Sequence, residues 1–130
     1  MPTPIVADVG TVITVTGANA IANNAYSNSA DVMRIQRSAL AANYLLADFR
    51  LSFTYSTAPV TGVIQLIKMP RDFSGTQGNT PASTMQGAQI FTFGPAPLAS
   101  NTVKTFIFSV DSVPLDQDAD YWLLNTTGQG

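Results

Sequence analysis

Residues 47–55, "ADFRLSFTY", alternate without interruption. Ala47, Phe49, Leu51, Phe53 and Tyr55 take one set of positions, and Asp48, Arg50, Ser52 and Thr54 take the other. Only an extended chain sends successive side chains to opposite faces, so this period of two puts three aromatics and a leucine on one side and polar groups on the other. A helix would scatter the same residues around its circumference. The segment predicts a half-buried antiparallel strand.

Composition extends that reading to the whole chain. All eight acids are Asp, Glu is absent, and Lys68 and Lys104 are the only lysines. The usual surface helix formers are therefore missing, while Val, Ile, Thr, Phe and Tyr are plentiful, which favours an all-β chain. Further strands are expected over Ile5–Val9, Thr11–Thr16, Val32–Arg37, Val63–Met69, the "QIFTF" and "NTVKTFIFSV" stretches, and Asp120–Asn125. "VIQLIKM" is apolar on both faces, as befits a strand covered by a partner or a central strand crossed by a loop. "TAPVTG" predicts a hairpin loop joining it to the strand before it. Residues 17–31 and 70–87, rich in small, polar and turn residues, read as long loops, and "SALAANYLLAD" as a turn with at most one turn of helix. At 130 residues the chain is one domain. The fold expected is all-β: a single antiparallel two-sheet sandwich over residues 1–130, jelly-roll-like, with residues 1–9 as a candidate N-terminal arm.

The same composition excludes most chemistry. With no His and no Cys there is no Ser–His nucleophile, no thiol nucleophile and no zinc site of the usual kind. An Asp pair or a Ser–Lys pair has no local pattern to support it, so the chain reads as non-enzymatic and without a cofactor. Asp116, Asp118 and Asp120 recur at period two; in an extended segment they would share one face, either to hold Ca²⁺ or simply as a solvated run that blocks edge pairing. "SGTQGNT" has no helix after it and is not a phosphate loop. "NTT" from Asn125 fits a glycosylation sequon formally. Tyr121 and Trp122 point to opposite faces of the last strand, leaving one of them for an interface or a sugar. A net charge of −2 and scattered arginines predict no nucleic-acid partner. No apolar run reaches membrane-helix length, and "MPTP" is not a secretory leader, so synthesis in a cytoplasm is expected.

Two segments, "GVIQLIKMPRDFSG" and "VPLDQDADYWLLNTTGQ", carry a resemblance. The chain resembles small bacteriophage virion β-sandwich proteins over roughly residues 26–129: a strand runs to a Pro and an Asp/Gly loop, and a Pro-Leu…Asp-Tyr-Trp lead enters the final strand. The resemblance implies a capsid decoration (cement) protein on the outer capsid surface of a virion, trimeric, that bridges and stabilises adjacent major capsid protein subunits. A tail or head appendage, or a carbohydrate-binding module for host attachment, is the alternative. Contacts would come from the arm (Pro2, Pro4, Ile5), the first long loop (Ala20, Ile21, Tyr26), the second (Phe73), and Trp122. Charged residues make up only 11% of the chain, so such contacts could be buried without stranding ions.

Overall fold

The structure, a computed structural model, describes residues 21–27, 34–40, 44–72, 74–77, 80–81, 87–93, 100, 102–116 and 118–129. The strands expected over 5–9 and 11–16, the arm, and Pro2, Pro4, Ile5, Ala20 and Phe73 lie outside the described residues. Within them the chain forms β1 (Ala25–Tyr26), β2 (Arg34–Gln36), a 3₁₀ turn (Arg37–Ala39), β3 (Leu46–Thr54), β4 (Ile64–Pro70), β5 (Gln89–Phe93), β6 (Thr105–Pro114) and β7 (Asp118–Asn125). All pairings are antiparallel.

The strands divide into two sheets. In the larger, β7 and β4 lie side by side, β5 flanks β4, and the short β1 and β2 share the other edge of β7. The smaller pairs β3 with β6. The predicted alternation of β3 is present along its whole length, with exposed and half-buried residues taking turns. Its inward set, Ala47, Phe49, Leu51 and Phe53, meets Phe106, Phe108, Val110 and Val113 of β6 and packs on Ile64, Leu66, Phe93, Ala119, Tyr121 and Leu123 of the larger sheet. Ring contacts bind the two layers: Phe49 lies 5.2 Å from Tyr121, and Phe53 lies 6.3 Å from Phe93 edge-on. Burying each such side chain contributes about 1.5–3 kcal/mol. The seven described strands thus define an all-β protein with two packed antiparallel sheets; they do not define a jelly-roll winding.

Three expectations change. Residues 55–63 do not make a hairpin: β3 pairs with β6 and β4 with β5 and β7, so this segment crosses from one sheet to the other. Pro and Gly mark a change of direction without saying which sheet receives the chain. Part of the first long loop is a strand, because Ala25–Tyr26 pairs with Leu124–Asn125 and the ladder continues as Ser27 N–H donates to Leu123 O at 2.7 Å. β-Propensity is weak evidence where tertiary pairing decides. Finally, β6 runs on through Pro114, and β7 begins at Asp118, so the connection between them is short. The two-faced apolar pattern of β4 is that of a central strand: Ile64 and Leu66 face the core, and Ile67 and Met69 are buried on the opposite face.

One irregularity shapes the smaller sheet. The register slips between Ala47 and Phe49, so Asp111 and Ser112 together oppose Asp48. Ser112 has φ 57°, and its N–H donates to Asp48 Oδ1 at 2.9 Å. A bulge of this kind bends its strand and fixes the register on either side.

Candidate functional site

The acids expected to share one face at the start of β7 are instead divided. Asp118 and Asp120 lie on the strand and are buried, 8% and 1% exposed, while Asp116 precedes it and is half-exposed. Each meets a cation. Arg34 donates to Asp118 through Nε (2.9 Å) and Nη2 in a fork. Arg71 Nε donates to Asp120 Oδ1 at 3.0 Å, and Gln77 Nε2 to its Oδ2 at 3.0 Å. Lys68 Nζ lies 3.3 Å from Asp116 Oδ2. Among the described residues no group of three acids is placed to hold a metal ion. Neither the calcium reading nor the solvated-run reading describes this arrangement: two of the three carboxylates are covered and matched by arginine. The Arg34 hydrogen bonds hold Asp118 below the usual carboxylate range against the opposing effect of burial, and the charges of Arg34 and Arg71 add to them.

The loop after β4 is wired into this network. Asp72 Oδ1 accepts from Ser74 Oγ (2.7 Å), Ser74 N (2.9 Å) and Thr76 N (2.8 Å), which lowers its pKa, the Ser74 hydroxyl first. Arg71 Nη1 donates to Gly75 O at 3.0 Å. The turn that "RDFSG" predicts is thereby fixed against β7 by ionic bonds that no local pattern announces.

The end of β7 is closed as tightly. Asn125 is 2% exposed; its Oδ1 accepts from Thr127 N (3.0 Å) and Thr127 Oγ1 (2.6 Å), and its Nδ2 donates to Ile21 O (3.1 Å) and Gln129 O (2.7 Å). A sequon whose amide is buried and fully bonded offers no acceptor in the folded chain, so "NTT" is a structural turn.

The described residues expected to meet a partner are placed as follows. Ile21 is half-buried against the core, and Tyr26 is half-buried on β1 opposite Leu124. Trp122 is half-buried opposite Ile67, its indole N–H buried and without a hydrogen-bond partner among the described residues, whereas Tyr121 faces the core at 1% exposure. Tyr26, opposite Leu124, stands on the same outer face of the larger sheet as Trp122, while Ile21 packs against the core. More open apolar surface lies on the smaller sheet: Ile107 is 79% exposed on the outer face of β6, and Leu45 and Leu46 are 65% and 55% exposed at the start of β3. Ile107 stands opposite Ser52, beside the Thr54–Thr105 hydroxyl pair at 3.2 Å. Its signal was the run "FIF", which places an apolar residue on the polar face of an otherwise alternating strand.

No family model matches the chain, and comparison with curated proteins and with solved structures returned no match.

Proposed function

We propose that the protein is a non-enzymatic structural component of a bacteriophage particle, a decoration protein that bridges adjacent major capsid subunits as a trimer. The observation that carries this reading is how charge is distributed. Arg34, Arg71 and Lys68 are matched within the chain by Asp118, Asp120 and Asp116, while the outer face of β3–β6 presents Ile107 beside Ser52, Thr54, Thr105 and Ser109, with Arg50 and Asp48 further along β3. The neutral Ile107 end of that face can be covered by a neighbour with little desolvation cost. Sheet-on-sheet packing also supplies the rigidity that a cementing part requires.

The appendage or glycan-binding reading has less support, because Tyr121 is spent on the core and Trp122 is half-buried. The test is stoichiometric and mechanical. Purified particles contain hundreds of copies of a cement protein and few of an appendage. Particles stripped of the chain then lose heat resistance, and adding it back restores them. Stripped particles of unchanged stability would exclude the cement role, and binding on a glycan array would favour the alternative.

A further inference from the structure

The core face of β4 contains one residue that does not belong in a hydrocarbon layer. Lys68 is 1% exposed on the central strand of the larger sheet, on the same face as Ile64 and Leu66. Its Nζ donates to Pro114 O at 2.6 Å and lies 3.3 Å from Asp116 Oδ2. Both partners belong to the segment that leaves β6 for β7, so the amine reaches from one sheet to the chain emerging from the other. Directly across the ladder from Lys68 stands Tyr121, whose hydroxyl is buried and makes no hydrogen bond among the described residues. Burial, and after it the charge of Asp116, push the phenol pKa up, so its proton stays in place near that carboxylate.

We propose that Lys68 and Asp116 are the reactants of a self-catalysed crosslink, an amide joining Nζ to Cγ. The reaction starts from the neutral pair, which a proton passing from Nζ to Asp116 Oδ2 across their 3.3 Å contact produces. The Nζ lone pair attacks Cγ, the N–C bond forms, and the C–OH bond breaks. The hydroxyl leaves as water with a proton from the amine, so the balance is amine plus carboxylic acid giving amide plus water. No oxidant, metal or activated donor is required. The Pro114 carbonyl holds the amine in place, the Tyr121 hydroxyl is the hydrogen-bond donor for the oxygen that acquires charge, and the exposed side of Asp116 lets the water depart. The contact geometry substitutes for activation, as effective molarity does in other intramolecular reactions. The product would staple β4 to the end of β6 and replace a half-buried ion pair by a neutral amide. This inference does not depend on the virion reading.

Intact-mass measurement on the purified, folded wild-type chain tests it. The expected mass is that of the sequence less one water, with a proteolytic fragment in which the peptide containing Lys68 is joined to that containing Asp116. K68R and D116A, checked for folding by circular dichroism, return to the full mass, and Y121F reaches the dehydrated mass about a hundredfold more slowly. A cyclic imide at an Asp would show the same mass deficit but no joined peptide, and hydroxylamine would cleave it; that result overturns the proposal. So does a folded wild-type chain that keeps its full sequence mass after prolonged incubation, which makes the pair an ordinary salt bridge.

Discussion

Replacing Gly62 by alanine costs about 3 kcal/mol of folding stability, and the figure can be built from the corner that this residue makes. Gly62 sits at φ +71°, just before β4. A residue with a Cβ in this left-handed region loses about 1–2 kcal/mol. The added methyl would fall 1.8 Å from Thr126 O, 2.5 Å from Thr126 C and 2.9 Å from Thr127 Cα. These are backbone atoms, so no side chain can swing aside and the 126–127 segment must move. Moving it disturbs the bond from Thr126 N to Val63 O (3.0 Å) and that from Val63 N to Thr126 Oγ1 (3.1 Å). Two such bonds are worth about 1 kcal/mol each. Loss of chain freedom in the unfolded state returns about 0.4–1 kcal/mol. Gly87 is the control: its φ is +79°, and among the described residues nothing lies within 4 Å of where its Cβ would be. Gly87→Ala therefore suffers the backbone effect alone, about 1 kcal/mol. Urea denaturation of both variants, read as a shift in midpoint at constant slope, measures the difference. Equal losses within about 0.5 kcal/mol would refute the claim that close approach of the two backbone segments is what requires glycine at position 62.

The remaining expectations concern charge, the bulge and the outer face. Asp118 has its folded pKa lowered, so its stabilising effect is fully present above the unfolded value of about 4 and is lost as pH falls through the folded value. Asp118→Asn is accordingly less stable than wild type at neutral pH by about 1–3 kcal/mol, and the gap narrows on acidification below about pH 4 in pH-dependent denaturation curves. Adding Ca²⁺ leaves the melting temperature of the wild-type chain unchanged, since Asp116, Asp118 and Asp120 are each engaged by a cation. Asp48→Ala costs about 1 kcal/mol by removing the acceptor for Ser112 N–H, while Ser112→Gly gains about 1 kcal/mol by relieving the positive φ. Ile107→Lys changes stability by less than about 0.5 kcal/mol in the isolated chain and abolishes binding to stripped particles; retained binding would move the proposed contact off this face.

What was legible in the sequence and what was not follow a physical division. β3 could be read because one-sided burial imprints a period of two on the residues themselves, and β4 because burial of both faces removes that period. The partner of β3 could not, since the segment 55–63 has the same turn residues whether the chain folds back in its own sheet or crosses to the other. The pairs Arg34–Asp118 and Arg71–Asp120 span 84 and 49 residues, and nothing in "DQDAD" indicates that its carboxylates are bound for arginines elsewhere. Lys68 carries its own signal in the sequence: it stands in a run of apolar residues at a position where the alternation calls for a core side chain.

β7 has β1, β2 and β4 as hydrogen-bonded neighbours, yet it leaves the ribosome after every one of them. The larger sheet therefore cannot close before β7 has been made. β4 and β5 can pair early, but the gap beside β4 stays open until residues 118–125 emerge. Contacts of such long sequence separation favour slow, late closure. A nascent or prematurely terminated chain would hold an unfilled slot in place of a finished sheet, and any surface that depends on that sheet would form only once synthesis has passed β7.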